Sequence, residues 1–472
     1  MNNAIKENKV ASRPRLLDVL DDSLPTVAGR NDLFRSVPRF PSFDEISNGD
    51  LFSLPITNNT SNLTHGLHRF AAKYIPQIPA WAMEEFADKD SVVLDPFCGS
   101  GTTLVEGLHR CRKSIGIDCD PLSSFIARAK TADVRSARIL ELGQRLRAIW
   151  RAPAKRLAPP MPGLINFTHW FSDRAWGHLQ SLIEAIMRLE CTAEERQFLL
   201  CVFSSIIRWV SNADDQTQKT YVSGTLKKTP PEVPATFWKA FDRAATGLSE
   251  LERYRLPSAR ATVITGDAAS ISLPESSVDL IVTSPPYLDS VDYMYNCMLE
   301  YFWLGPLLGV KDRNTFNRMR RGVIGAKNPM HRKASHLPPC LDDLICESDI
   351  IPSRLPATLD YCYNMAAHFA SAARVMKPKA RYVLVIGNSQ TKTGVLPIHD
   401  SLIRLATDAG LVFESAFAYR IRRHYMKFPR KGRGGIITMD WVIVMKKGKK
   451  RGGYPDRLPL PDFTLRGDEV AN

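Results

Sequence analysis

The stretch Val92-Val93-Leu94-Asp95-Pro96-Phe97-Cys98-Gly99-Ser100-Gly101-Thr102-Thr103-Leu104-Val105-Glu106 decides the fold. Val92 to Leu94 is a short apolar run, as in a parallel strand covered on both faces. Gly99 and Gly101 supply a tight turn that lets backbone approach a ligand closely. The apolar period that follows predicts a helix, with Thr102 or Thr103 as its cap. Its first turn presents free N–H groups and the positive end of the helix dipole.

A lone Gly-x-Gly serves equally well as a plain strand-to-helix turn. The next strand tips the balance. Lys113-Ser114-Ile115-Gly116-Ile117-Asp118 ends in an acid 17 residues beyond Gly101. A nucleotide-binding α/β fold places the carboxylate that holds ribose hydroxyls at about that distance. Far downstream, Val278-Asp279-Leu280-Ile281-Val282 reads as another apolar strand and runs into Thr283-Ser284-Pro285-Pro286-Tyr287. Two prolines cannot extend a sheet, so the strand stops in a rigid turn. A hydroxyl, a carbonyl and an aromatic ring are thereby set at the carboxyl end of a strand, the edge where open α/β sheets bind ligands.

Together, Asp95-Pro96-Phe97-Cys98-Gly99-Ser100-Gly101 and Ser284-Pro285-Pro286-Tyr287 resemble the amino-methyltransferases of DNA, which move a methyl group from S-adenosylmethionine to an exocyclic base nitrogen. The serine form of the second motif is more similar to the cytosine-N4 branch than to the adenine-N6 branch. His68-Arg69-Phe70-Ala71-Ala72-Lys73-Tyr74-Ile75-Pro76-Gln77-Ile78-Pro79 resembles the segment that closes over the methionine end of the cofactor in that family. Thr265-Gly266-Asp267-Ala268 resembles the contact near its adenine. The resemblance covers roughly 65–130 and 260–445, and four motifs agree in kind and order.

That resemblance implies an α/β, Rossmann-like methyltransferase fold: a mostly parallel sheet with an antiparallel closing strand. It implies that Asp95, Phe97, Gly99, Gly101 and Thr102 line the cofactor, that Asp118 holds its ribose and that Asp267 meets its adenine, with Lys73 and Pro76 near the methionine end. Ser284, Pro285, Pro286 and Tyr287 become the catalytic loop. The amino nitrogen of cytosine is a poor nucleophile because its lone pair is delocalised into the ring. The Ser284 hydroxyl and the Pro285 carbonyl can accept its hydrogens and turn the lone pair toward the methyl donor. Tyr287 can stack on a base that has left the duplex. Double-stranded DNA is the implied partner, and restriction protection or phage defence, with cognate restriction or defence proteins, the implied setting.

Composition agrees with this class. The chain has 472 residues, 44% hydrophobic and 24% charged, an ordinary globular mixture. Its formal charge of +14 suits a polyanionic partner and salt-dependent attraction. Nine scattered cysteines, with no Cys-x-x-Cys pair, argue for reduced thiols in a cytoplasmic protein and against a disulfide frame or a metal site. Cys98 reads as packing. No apolar run reaches membrane length.

Residues 1–60, rich in Asn, Asp, Ser and Pro, read as a mostly irregular arm. Residues 61–130 and 259–447 form the catalytic domain, in which Pro79 starts a helix. Residues 131–258 interrupt it as a helical insert and a candidate target-recognition region. The aromatics Trp170, Phe171, Trp176 and Trp209 read mostly as core. The polar run Ser211–Pro231, with Lys219, Lys227 and Lys228, reads as an exposed loop able to follow a phosphate backbone. Residues 311–334 hold Lys311, Arg313, Arg318, Arg320, Arg321, Lys327, Arg332 and Lys333 against one acid, Asp312, and read as a DNA-contact segment. Leu411–Tyr419 and Asp440–Met445 read as an antiparallel closing pair joined by a basic, glycine-bearing loop. Residues 448–472 read as a frayed polar tail.

Four other readings stand beside this one. Adenine N6 is a variant target, against which Ser284 argues. An RNA guanine-N2 methyltransferase shares related motifs but usually carries an N-terminal RNA-binding domain, for which the first 60 residues are too short and too polar. A non-enzymatic binder on a degenerate fold would be expected to lose Ser284, Pro285, Pro286 or Asp118. A dehydrogenase would need a third glycine in the turn.

Overall fold

The computed structural model describes residues 34–54, 61–70, 73–110, 112–151, 167–215, 219–225, 228–256, 258–288, 292–330, 336–345, 347, 350–387, 389–391, 394–421, 439–448 and 454–458. In chain order the strands are β1 (Arg35–Ser36), β2 (Asp50–Ser53), β3 (Val92–Asp95), β4 (Lys113–Asp118), β5 (Arg260–Thr265), β6 (Val278–Thr283), β7 (Met376–Ile386), β8 (Ser389–Thr391), β9 (Gly394–Leu396), β10 (Leu411–Arg420) and β11 (Met439–Lys447). The helices begin with α1 (Gln77–Phe86), α2 (Thr102–His109) and α3 (Pro121–Thr131), and pass through α4 (Ser136–Ile149), α5 (Phe167–Trp170), α6 (Asp173–Arg188), α7 (Ala193–Ile207) and α8 (Val233–Tyr254). They end with α9 (Tyr293–Asn296), α10 (Met298–Leu304), α11 (Arg313–Gly322), α12 (Leu355–Val375) and α13 (Ile398–Asp408).

One nine-stranded sheet runs β1-β2-β10-β11-β7-β6-β3-β4-β5. Every neighbouring pair is parallel except those made by β11, which is antiparallel to both β7 and β10. This is the expected Rossmann-like methyltransferase sheet with its antiparallel closing pair. Its strand order reverses at β3, which has β4 on one side and β6 on the other, so a ligand crevice opens where the glycine turn and the Ser284 loop leave the sheet.

The central strands β3 and β6 are mostly apolar because both faces are covered. Val93, Val282 and Val383 pack under Ile78, Trp81 and Met83 of α1. Leu94, Ile281 and Leu384 pack against Phe369 of α12 and Leu402 of α13 on the other side. A separate core serves the insert: Phe171, Trp176 and Phe203 close around Phe302 and Trp303 of α10, with the Trp176 and Trp303 rings 4.7 Å apart. The core reading of Phe171 and Trp176 holds. Since α10 follows the Ser284 loop in the chain, this cluster clamps the insert to the catalytic half.

Several local expectations change. The longest helix, the 22-residue α8, went unassigned in the sequence, although Phe237, Phe241, Ala244, Leu248 and Leu251 mark one buried stripe along it. The arm is not wholly irregular, since β2 adds to the sheet beside β10. Helix α1 starts at Gln77 with Pro76 at its N-cap, leaving Pro79 inside the first turn, where a missing N–H costs nothing. Strand β7 begins at Met376 and bulges over Lys377 to Ala380, where Lys379 takes φ +65° and the register with β6 shifts. Lys228 is no phosphate follower: its Nζ is half-buried and donates to the Arg208 and Ala213 carbonyls at 3.1 and 3.2 Å. In the tail, Leu458 is buried and its N–H donates to Asp400 at 3.2 Å. The basic loop between β10 and β11 lies mostly outside the described residues, as do Lys227, Arg332 and Lys333. Among the described residues no helix is long and apolar enough to cross a membrane.

Candidate active site

The site is built on Asp95, the last residue of β3, which is fully buried. One carboxylate oxygen accepts from the Thr283 hydroxyl at 2.6 Å and from the Phe97 N–H at 3.2 Å. The other accepts from the Thr103 hydroxyl and from the Tyr74 hydroxyl, the latter at 3.3 Å. Burial still pushes its pKa up, to about 6, against these donors. Asp95 therefore ties together the segment before α1 (Tyr74), the glycine-turn helix (Thr103) and the base of the Ser284 loop (Thr283). Thr103 is drawn to this carboxylate and does not cap α2. The N-cap is Gly101, and no side chain caps the helix.

Gly99 and Gly101 both take positive φ, +49° and +83°, in the left-handed region that glycine alone enters cheaply. At Gly101 a side chain would also be crowded: a Cβ there would lie 3.0 Å from that of Ala127 on α3. The Gly99 N–H donates to Asp118 at 2.8 Å, and the Asp120 N–H donates to its other oxygen at 2.8 Å. Burial first, and the neighbouring Asp120 second, raise the Asp118 pKa to about 7. Asp118 itself is half-buried, so its carboxylate remains open to accept a ligand's hydroxyls. Strand pairing sets Asp118 opposite Thr265, and the Gly266 N–H donates to the Asp118 carbonyl at 3.0 Å. Asp267 follows, exposed, with one oxygen capping the Ala269 N–H at 2.9 Å.

Phe97 and Thr102 join the same turn. The Phe97 ring lies edge-on to His368 of α12, with centroids 4.8 Å apart. His368 is held neutral by burial, which lowers its pKa to about 4, and is fixed between the Ala268 carbonyl and the Tyr382 hydroxyl. Thr102 is buried at the start of α2. Lys73 and Pro76 lie on the segment whose Phe70 ring comes within 3.4 Å of a Cβ built on Gly99. The Cys98 thiol is buried and raised well above its usual range by burial, so it packs and does not react.

The Ser-Pro-Pro-Tyr loop leaves β6 at Ser284. Pro285 is buried, and Ser284, Pro286 and Tyr287 are half-buried. Tyr287 is anchored across the sheet: its hydroxyl donates to Asp440 of β11 at 2.8 Å, and the Tyr419 hydroxyl of β10 donates to the second Asp440 oxygen at 3.0 Å. Burial raises the Asp440 pKa while the two tyrosines lower it. Gly325, at φ +81°, packs on the other side of the loop, 3.3 Å from the Tyr287 carbonyl and 3.7 Å from Pro286 as measured to its Cβ position. The basic segment thus lies directly on the loop. A cleft of about 530 Å³ opens there among Asp292, Asn317, Arg320, Arg321 and Lys327. Arg320 is pinned by Asp292 and lies 5.0 Å from the Tyr295 ring centroid, while Arg321 and Lys327 are exposed.

The structure thus gathers Asp95, Phe97, Gly99, Gly101, Thr102, Asp118 and Asp267 around the carboxyl ends of β3, β4 and β5, with Ser284 to Tyr287 at the adjoining end of β6. Tyr74, Thr283, His368 and Asp440 escaped the sequence reading. Tyr74 and Thr283 stood inside quoted motifs, and their hydroxyls were the available signal. Nothing local marked His368 or Asp440.

The geometry of these carboxylates, glycines and loops fits an adenosine-bearing cofactor. Residues 45–124 match a family model described as DNA methylase. The chain is 26% identical over 406 residues to the Type II methyltransferase M.MvaI of Kocuria varians, covering 80% of this chain and 86% of that one. It is 22% identical over 286 residues to the Type II methyltransferase M.BsoBI of Geobacillus stearothermophilus, covering 54% of this chain and 56% of that one. Among solved structures, a SAM-dependent methyltransferase of Methanosarcina mazei aligns over 78% of this chain and 97% of its own, at 11% identity and a TM-score of 0.28.

Proposed function

We propose that this chain, an amino-methyltransferase of the N4/N6 type with S-adenosylmethionine as its cofactor, methylates the exocyclic N4 nitrogen of cytosine in double-stranded DNA. The observation that carries the reading is the Thr283–Asp95 hydrogen bond of 2.6 Å. It joins the root of the Ser-Pro-Pro-Tyr loop to the root of the glycine turn, so methyl donor and methyl acceptor meet on one sheet edge. The serine at 284 favours cytosine over adenine.

When bound, the cofactor supplies an electrophilic sulfonium methyl group. Asp118 would hold its ribose, Asp267 its adenine, and the turn Gly99-Ser100-Gly101 its approach to backbone. Ser284 and the Pro285 carbonyl accept the amino hydrogens of the target base and orient its lone pair. Tyr287 stacks on the base, and because its hydroxyl is anchored on Asp440 the ring plane is set before the base arrives. Such positioning supplies much of the rate in a transfer between two bound partners. Proline at 285 and 286 leaves the loop without N–H donors that would compete for the same acceptors.

DNA binding draws on the formal charge of +14 and on the exposed Arg321 and Lys327 beside the loop. The Type II names of the relatives support a setting in restriction–modification, with a cognate nuclease as the functional partner.

The test is a product analysis. Purified protein is incubated with labelled S-adenosylmethionine and either unmethylated DNA or total RNA, and the nucleosides are separated by mass. N4-methylcytosine in DNA is the expected product. N6-methyladenine would move the target base while keeping the loop chemistry, and label in RNA alone would overturn the DNA assignment.

A further inference from the structure

Helix α11 walls the cleft beside the Ser284 loop, and its two faces differ in character. Phe316 is buried, and Met319 and Val323 pack with it on the core of the insert. Asn317, Arg320 and Arg321 line the cleft. They stand at i, i+3 and i+4, so they share one side of the helix. After α11 the chain folds back on itself. The Met330 N–H donates to the Arg321 carbonyl and the Ala326 N–H to that of Val323, both at 3.1 Å. Gly325, within this turn, is the residue that packs on Pro286 and the Tyr287 carbonyl. Helix and loop are thereby fixed in register with each other.

The cations of the cleft are held differently. Arg320 Nε donates to one oxygen of Asp292, whose other oxygen caps α9 by accepting from the Tyr295 N–H at 3.0 Å. The Arg320 guanidinium lies 5.0 Å from the Tyr295 ring centroid, within cation–π range. A carboxylate and an aromatic ring on one short element thus pin this side chain. Asp292 takes Nε, and among the described residues the two Nη groups have no protein partner. Arg321 and Lys327, by contrast, are exposed.

A phosphate contact needs charge but carries no sequence information, and exposed cations such as Arg321 and Lys327 suit it. A base edge asks for more. The O6 and N7 of guanine accept two hydrogen bonds in the major groove, and an arginine fork matches them only when its plane is set. Fixing the side chain beforehand removes the cost of ordering it on binding. A sequence reader must also stand at a constant offset from the methylated base, and the Gly325 contact with the loop supplies that constancy.

We propose that Arg320 reads a guanine of the target sequence, at a fixed offset from the methylated base, with Asp292 as its positioning residue. This rests on the DNA methyltransferase reading above and deepens it by assigning one determinant of specificity.

The test reads sequence preference rather than total activity. The full chain methylates a library of duplex DNA of random sequence, and sequencing compares the bases around each methylated position. Wild-type protein is expected to favour guanine about 30-fold at one fixed offset, and Arg320→Ala to flatten that preference to within about threefold. The other positions should be read as before. Asp292→Asn keeps the acceptor for the Tyr295 N–H but loses the charge that pins Arg320, so it should weaken the preference severalfold at the same position. A uniform loss of activity with the preference unchanged would make Arg320 a phosphate or structural contact and overturn the proposal. A wild-type preference that contains no guanine overturns it as well. Should Arg320→Ala not give a cooperative melt, Asp292→Asn is judged by the same criteria. If wild-type protein methylates no DNA at all, the DNA methyltransferase reading itself falls, and that result shows before any variant is made.

Discussion

The turn at Gly99 and the loop at Ser284 sit side by side on one sheet edge, yet they are held in different ways. The turn is held by its own neighbourhood. Gly99 and Asp120 both donate to Asp118, and these three residues span two adjacent βα units. The loop is held from far away: Tyr287 is anchored by Asp440, 153 residues on, and Pro286 is backed by Gly325. A turn made by local chain geometry is pre-formed wherever the strands pair, whereas a loop made by remote anchors depends on the completed sheet. On the proposed function, the loop is therefore the place where target recognition is tuned without disturbing the cofactor.

The sharpest break between the two regions is expected from Ser284→Ala. It removes an acceptor for the amino hydrogens and should lower turnover about 100-fold, with cofactor affinity by calorimetry unchanged. Near-normal turnover would take Ser284 out of the mechanism. The mirror experiment is Asp118→Ala, expected to weaken S-adenosylmethionine binding about 30-fold through loss of charge-assisted hydrogen bonds. Unchanged affinity would remove the ribose assignment.

A pH series sharpens the same contrast. Asp118 sits at about 7 in the unliganded protein, and its ionised form is the better acceptor for ribose hydroxyls. The carboxylate is charged above that pH and protonated below it, so affinity should be high near pH 8 and fall about tenfold by pH 6. Asp118→Asn should show a weaker and flatter profile, and a wild-type slope retained in that variant would place the titrating group elsewhere.

On the loop side, Asp440→Ala removes the acceptor shared by the Tyr287 and Tyr419 hydroxyls. It should cost about 2 kcal/mol of stability by denaturant titration and lower turnover about tenfold, with cofactor affinity within twofold. A comparable fall in cofactor affinity would mean that the two regions are not separable. The smallest effect is expected at the exposed charges beside the loop. Arg321→Ala with Lys327→Ala should weaken DNA binding severalfold and flatten its salt dependence by roughly one unit of slope per lost phosphate contact; an unchanged slope would remove this segment from the DNA interface.

Much of the cofactor side was legible in the chain because its signals are local. Strand, turn, helix and terminal acid follow one another within 27 residues, from Val92 to Asp118, and the positive φ of Gly99 and Gly101 needs glycine whatever surrounds it. Helix α8 was missed although its stripe was present, because the polar run before it drew the reading toward an exposed loop. The same run made Lys228 look solvated, whereas two carbonyls take it inward. Thr103 looked like a helix cap because its position in the sequence suits one, but the buried Asp95 carboxylate competes more strongly for the hydroxyl.

The sequence by itself determined the class of the sheet, the glycine turn after β3 and the rigid proline loop after β6. Those features are written in glycine, proline and apolar periodicity, which act over a few residues. Only the tertiary structure decided that Asp95 is the tie between three segments, that Asp440 orients Tyr287, and that His368 fixes Phe97. Each of these joins residues brought together by strand order across the sheet, and a linear pattern carries no record of which distant carboxylate, hydroxyl or ammonium will be left facing another once water is gone.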